Sequence, residues 1–481
     1  MTVEKLGQSF TTPRIIDPKS SRAQVRGSRG PCVWIPKYAN PMSSRPIHYL
    51  INTRAELVIQ LLLIVGFLIT ALHLRFEIPR YDYWDIAFES TFVFEGEGTA
   101  LDRLFTYLFS PVADQIMALP KLAILLSNRF AGQYFIAVEI IISWAFLLVG
   151  YLCLLSLMRA SGSAPIPNAA SLNWKRIIIC MLYWWPAVLP SLTNNWFALQ
   201  YSIVLSTGLT SIYFYRNSEG RTDQQVIGFV LFLCCAVSHG TGVMLGPALV
   251  LWLLIRRESS KITVLVLGIV SVLLIVWLWP EKISSTTSSE NLLWSPKSLK
   301  FFVRIGTPFF WEQAIFLLIL LPASLIYLIQ AANPKSGDQF KDACILVFWV
   351  VGVWGVTFVA RYKFQDYANP HYLRFFILLY VGLLVTFVGW MKENAKQKMI
   401  VLAGILLAIV WLKGVERGLD MAISYRSENM AGRQSLIESM TQENALTQNI
   451  YPAHDRRLTG ILIPQLLSNE KYPYRKLLDQ P

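Results

Sequence analysis

The sequence predicts an all-α, polytopic integral membrane protein, and two observations carry that prediction. Of its 481 residues, 54 % are hydrophobic and only 15 % charged, where a soluble globular chain carries about 25 % charged residues. The apolar residues are also gathered into runs. Residues 55–74, 134–157 and 262–279 are nearly uncharged and close to the roughly 20 residues that cross the hydrocarbon core of a bilayer. Apolarity on every side over that length suits lipid better than a protein core, and only helices or closed barrels satisfy their backbone there. The runs are continuous and do not alternate, which excludes a barrel.

Taken in order, the chain opens with a polar, basic segment rich in Ser and Pro, residues 1–54, that has no early apolar stretch. It reads as a largely disordered cytoplasmic tail and not as a cleavable secretory signal. About eleven transmembrane helices follow on a hydropathy reading, near 55–74, 134–157, 177–192, 196–215, 225–238, 241–255, 262–279, 308–329, 343–360, 374–391 and 399–413. The short loops holding Arg159, Lys175 and Arg176, then Arg216 and Arg221, then Arg256, Arg257 and Lys261, then Lys335 and Lys341, then Lys392, Lys396 and Lys398 fall on one side. The positive-inside rule makes that side cytoplasmic, in a plasma (inner) membrane, and puts the C-terminus outside. The net charge of +13 is thus mostly a topology signal, and the partner it implies is a lipid bilayer and no nucleic acid.

The transmembrane domain is 55–413, with a first outer loop at 75–132, and 414–481 forms an extracytoplasmic tail expected to pack against that loop. Two spans look broken: 225–238 and 241–255 are separated only by His239 and Gly240, and Trp184, Trp185, Pro186 and Pro190 interrupt the third. Irregular backbone at membrane depth is tolerated where it lines a cavity inside the protein. A proline kink without further role accounts for any single break equally well. Five of the six cysteines sit in apolar runs, as small hydrophobes do.

The first outer loop opens with Arg80-Tyr81-Asp82-Tyr83-Trp84-Asp85, two carboxylates among aromatic rings where the first span ends. Beyond it Leu101, Leu104, Phe105 and Leu108 recur at helical spacing. After Pro111, Ile116, Leu119, Ala123, Leu126 and Phe130 repeat the pattern, with Lys121, Asn128 and Arg129 on the polar side and Asp114 as a candidate N-cap. Both stretches read as amphipathic helices in the interface plane.

This arrangement resembles the GT-C superfamily of membrane glycosyltransferases, in particular poorly characterised bacterial multispan relatives whose first loop opens with an Asp-Asp-Trp-like motif. Asp82-Tyr83-Trp84-Asp85 would be the counterpart, with Tyr83 in place of the second Asp. The family's His- and Asn-rich run before the second interfacial helix reads Pro111-Val112-Ala113-Asp114-Gln115 here. The resemblance implies a GT-C-like fold and an inverting hexosyl or pentosyl transfer from a polyprenyl-phosphate sugar donor to a glycan, lipid or protein acceptor of the cell envelope. Asp82 or Asp85 would be the catalytic base that takes the acceptor proton. Either residue could equally do no more than cap or solvate a helix end.

A lipid-phosphate leaving group needs positive charge on the same side as the base. The stretch 361–374 supplies Arg361, Lys363, His371 and Arg374; the resemblance gives donor-phosphate contact to Arg361 and Arg374, with Lys363 and His371 as auxiliaries. Snorkelling to headgroups competes as an explanation for Lys363. Glu139, Asn195, His239 and Glu312 are candidates to line the cavity, although a lone core histidine is more often a satisfied structural group. No metal site and no cofactor are legible, and a divalent cation is left open. Two other readings stand beside the transferase: an O-antigen polymerase or ligase-like enzyme, and a non-enzymatic lipid or glycan transporter or flippase. The first favours a large late loop where this chain has a large early one. The second predicts paired repeats, which are not evident.

Overall fold

The structure is a computed structural model that describes residues 47–79, 82–112, 115–159, 174–218, 221–257, 260–278, 338–361, 373–394, 397–441, 463–468, 473–474 and 476. Among these residues the protein is all-helical, without a strand. Five stretches are long and apolar enough to cross a membrane: Ala55–His73, Gly132–Met158, Arg176–Thr193, Asn195–Asn217 and Lys341–Phe358. Shorter apolar helices accompany them at Thr222–Ala236, Gly240–Arg256, Lys261–Trp277 and Leu373–Leu383. The span expected at 308–329 lies outside the described residues.

Helix α1 (Ile47–His73) leads into a loop that carries three helices, α2 (Tyr83–Glu95), α3 (Ala100–Phe109) and α4 (Ala118–Phe130). The Thr99 hydroxyl accepts the Asp102 N–H at 3.2 Å and starts α3 as an N-cap. The apolar residues of α3 face outward, with Leu101 75 % and Phe105 63 % exposed, the geometry of a helix whose apolar face meets lipid. Helix α4 is amphipathic in the same sense, and Leu126 and Phe130 are exposed. Its polar face is turned inward, so Lys121 and Asn128 are buried. Lys121 can be buried because its ammonium finds Glu89 at 2.7 Å, the Tyr107 and Ser110 carbonyls at 2.9 Å each, and the Ser110 hydroxyl at 2.6 Å. Asp114, the expected cap, lies outside the described residues; the first N–H of α4, on Ala118, donates instead to the Val237 carbonyl at 2.8 Å.

The bundle is built around α8 (Asn195–Asn217), which packs along α5 (Phe135–Arg159) and α9 (Thr222–Ala236). Both breaks expected from sequence are present. The third span divides into α6 (Trp174–Tyr183), a 3₁₀ turn at Pro186–Val188 and α7 (Leu189–Thr193), where two prolines withhold helix donors. The second break separates α9 from α10 (Leu245–Arg256) through extended backbone at His239 and a 3₁₀ turn at Gly240–Met244. Helices α11 (Lys261–Leu278), α12 (Asp338–Arg361), α13 (Leu373–Asn394), α14 (Gln397–Thr441) and α15 (Ile463–Ser468) complete the described chain.

Residues of the basic short loops meet at one end of the bundle. Arg216 and Arg256 both grip the buried Asp342 carboxylate, each at 2.5 Å, and Arg176 reaches Glu56 at 3.4 Å. At 45 residues, α14 is roughly 65 Å long, about twice the hydrocarbon thickness. It runs unbroken through both the stretch 399–413, expected from sequence to be a span, and the polar helical stretch beyond it, so the boundary at 413/414 falls inside one helix. Gly414 and Gly418 lie on its face against the broken third span. A Cβ at Gly414 would come 2.3 Å from the Trp185 ring, and one at Gly418 2.3 Å from the Pro186 carbonyl. Small residues four apart let helix backbones approach closely in a bilayer. The contact is secured by two indoles: Trp185 donates to the Trp411 carbonyl at 3.0 Å and Trp411 to the Met181 carbonyl at 2.9 Å.

Candidate functional site

The acidic opening of the first loop forms the start of α2. Asp82 precedes its first turn and Asp85 lies within it, both half-buried. Asp82 makes no side-chain cap bond, and its backbone carbonyl accepts the Ile86 N–H at 3.2 Å. Negative charge at a helix N-terminus is favoured by the exposed N–H dipoles. Asp82, Asp85 and Glu89 share one flank by spacing, while Tyr83, Trp84 and Ala87 on another are fully buried. The three acids are left half-buried beside these fully buried neighbours.

Those neighbours dock on a buried carboxylate. Glu139, in the first turns of α5, accepts from the Tyr83 hydroxyl at 2.8 Å, from the Asn195 amide at 2.5 Å and from the Ser127 hydroxyl. Tyr83 also bonds Asn128 at 3.2 Å, and the Asn128 amide donates to the Tyr474 hydroxyl at 2.5 Å. The Tyr474 ring packs against Trp84 and Phe135, so the C-terminal segment does reach the first loop. Helices α2, α4, α5 and α8 and the C-terminal segment therefore converge on one carboxylate. Burial, with the Glu139 charge beside it, holds the Tyr83 phenol protonated, well above the ordinary tyrosine range. In the same loop burial pulls Lys121 below the ordinary lysine range, and Glu89 partly offsets it. The Glu139 oxygens face donors from three residues, so Glu139 is a clamp for the start of α2.

A further buried charge is Arg374, near the start of α13 and only 2 % exposed. Its Nε donates to the Ser191 hydroxyl at 2.7 Å and one terminal nitrogen to the Ser202 hydroxyl at 3.1 Å. The other terminal nitrogen is buried without a hydrogen-bond partner. Among the described residues no carboxylate pairs with it. Burying an unpaired cation costs several kcal/mol, and ionisable groups at such depth normally have a counter-charge. Ser202 stands seven residues after Asn195 on α8, on the same helix face and roughly 10 Å along it. One face of α8 therefore carries both the amide that holds Glu139 and the hydroxyl that holds Arg374.

His239 is buried at the second break, where its Nδ1 accepts the Thr241 N–H at 3.2 Å and its ring packs on Tyr201. Tyr201 in turn packs on Phe375, beside Arg374. The Gln115 side-chain oxygen Oε1 accepts the Gly240 N–H at 3.2 Å, which ties the first loop to the break. The structure thus brings together Glu139 and Asn195 directly, and bonds Arg374 to Ser202 of the helix that carries Asn195. Glu139 has hydroxyl and amide partners, with no arginine among them. Arg361 ends α12; its side chain, and Lys363, His371 and Glu312 entirely, lie outside the described residues.

Sequence reasoning passed over Tyr83 as a ligand of Glu139, together with Ser127, Asn128, Ser191, Ser202 and Tyr474. Asn195 and Ser202, polar groups at a seven-residue interval in an apolar helix, were the available signal for α8. Among the described residues no group of three or more His, Cys, Asp or Glu could hold a metal ion. No known protein family, curated protein or solved structure matches this chain.

Proposed function

We propose that this chain is a GT-C-like membrane glycosyltransferase of about eleven spans, with its N-terminus in the cytoplasm of a cell with an envelope. It moves a sugar from a polyprenyl-phosphate donor to a glycan, lipid or protein acceptor on the outer face. The single observation that carries this reading is Arg374, a buried guanidinium with two neutral hydroxyl partners and one open nitrogen. A phosphate would supply the counter-charge that no described residue provides, and guanidinium donors match phosphate oxygens well. Asp82 or Asp85 takes the proton of the acceptor hydroxyl. The acceptor oxygen bonds to the anomeric carbon from the face opposite the phosphate. The bond from that carbon to the phosphate oxygen breaks, the electron pair leaves with the lipid phosphate, and the anomeric centre inverts.

The test uses the full chain in lipid nanodiscs with radiolabelled polyprenyl-phosphate sugars and an envelope lipid extract as acceptor. Arg374→Met is expected to abolish transfer and donor retention while its Tm stays equal to or above that of the parent, because an uncompensated buried charge is removed. Either Asp82→Asn or Asp85→Asn should lower turnover by about 10²-fold or more, with donor still bound. Transfer that survives all three substitutions would overturn the assignment. Donor crossing the bilayer without sugar transfer would support the flippase reading instead.

A further inference from the structure

A cavity of about 530 Å³ lies between the loop end of α1 and the middle of α14, lined by Ile69, Thr70, His73, Leu74, Leu419, Ile423 and Arg426. That volume is in the range of about 300–1,000 Å³ usual for ligand sites. Its walls are apolar, since the Thr70 hydroxyl is taken up by the Gly66 carbonyl of its own helix at 2.8 Å. Ile69 and Ile423 are exposed. Ile69 continues the exposed stripe of Val58, Leu62 and Val65 on α1, and Ile423 lies beyond the exposed Ile405, Ile409 and Leu412 on α14. The groove is thus an extension of the faces that these two helices turn to lipid.

Its rim is cationic. Arg426 approaches Glu77 at 3.8 Å, but Arg433 also engages that carboxylate, at 3.4 Å. The Arg426 Nε is buried without a hydrogen-bond partner. His73 adds an exposed imidazole at the end of α1. An apolar slot that opens where a span ends, with an under-compensated guanidinium above it, matches an acyl chain topped by a phosphate. Basic pockets between transmembrane helices bind anionic headgroups on this physical basis.

We infer that this groove is a resident site for one anionic, phosphate-headed phospholipid of the bilayer leaflet on the loop side. The lipid's chain fills the slot between α1 and α14, and its phosphate bonds Arg426. This site is separate from Arg374 and stands whether or not the chain transfers sugar.

The test is native mass spectrometry of the full chain, delipidated and then exposed to phosphatidylglycerol or to phosphatidylcholine of the same acyl composition, with no sugar donor present. Phosphatidylglycerol should be retained at several-fold higher occupancy. Arg426→Gln should remove that preference, Arg426→Lys should restore part of it, and Ile423→Trp should lower retention of both lipids by filling the slot. Arg221→Gln, at an exposed position on the end with the basic loops, should change nothing. Equal retention of the two lipids by the parent, or a preference that survives Arg426→Gln, would overturn the inference. Should Ile423→Trp not fold, the Arg426 pair decides alone.

Discussion

At the scale of single residues, the molecule treats two of its buried charges, Glu139 and Arg374, in opposite ways. Glu139 is answered by hydroxyl and amide donors, whereas Arg374 keeps an open nitrogen. The difference predicts different responses to substitution. Glu139→Ala would strand the Tyr83, Ser127 and Asn195 donors and should lower stability by roughly 3–5 kcal/mol. Glu139→Gln should cost about 2 kcal/mol less, because the Asn195 carbonyl oxygen, buried without a partner, can turn to accept the new amide. Thermal unfolding of both variants in detergent measures the gap, and equal losses would refute the clamp. Little of this was legible beforehand. Asp82 and Asp85 stood out because charge is rare in this chain, but the partners of Glu139 come from positions 83, 127 and 195, and no local pattern connects them.

Elements were more legible, and the reason is local chemistry. Proline withholds a helix donor and glycine is the next weakest helix former, so the Trp185-Pro186 and His239-Gly240 breaks could be read directly. The 3.6-residue period gave α3 and α4. It did not give the sense in which α4 faces. Lys121 reads as a solvent residue by composition, and only the convergence of Glu89, Tyr107 and Ser110 makes its burial tolerable. The contact between α14 and the broken third span was equally hidden, because Gly414 and Gly418 matter only through the bulk of Trp185 and Pro186. Gly418→Leu should therefore separate the two segments, costing about 1–3 kcal/mol by overpacking. A fall in Tm of several degrees, larger than that for Gly66→Leu, where a Cβ meets open space, is the expected outcome.

For the whole molecule, uncharged runs announced membrane residence, and short-loop charge announced which ends belong together. The Arg216–Asp342–Arg256 cluster fits that grouping, since it draws residues from three separate loop regions to one end. Asp342 sits between two cations, so removing it would leave like charges buried together, a loss on the order of 3–5 kcal/mol. The orientation itself is open to a direct check. In right-side-out membranes, Glu97→Cys, exposed in the first loop, should react with an impermeant maleimide. Asp223→Cys, exposed at the start of α9, should react only after permeabilisation. The reverse pattern would turn the molecule over and move the proposed site to the cytoplasm. What sequence could not supply at this scale is the meeting of distant segments: Asn128 and Tyr474 are 346 positions apart.

The unbroken course of α14 sets a gauge between two parts of the protein. Gly418 seats the rod against the bundle, and Asn429 holds the Glu77 and Ile78 amides at 2.7 and 3.1 Å. Eleven peptide steps separate these anchors, and each step turns a helix by about 100° and advances it by about 1.5 Å. Adding or deleting one step would swing one anchor to a different side of the rod. The height and azimuth of the loop entrance above the bundle are therefore counted out in residues of a single helix, much as a threaded shaft fixes the travel of its nut.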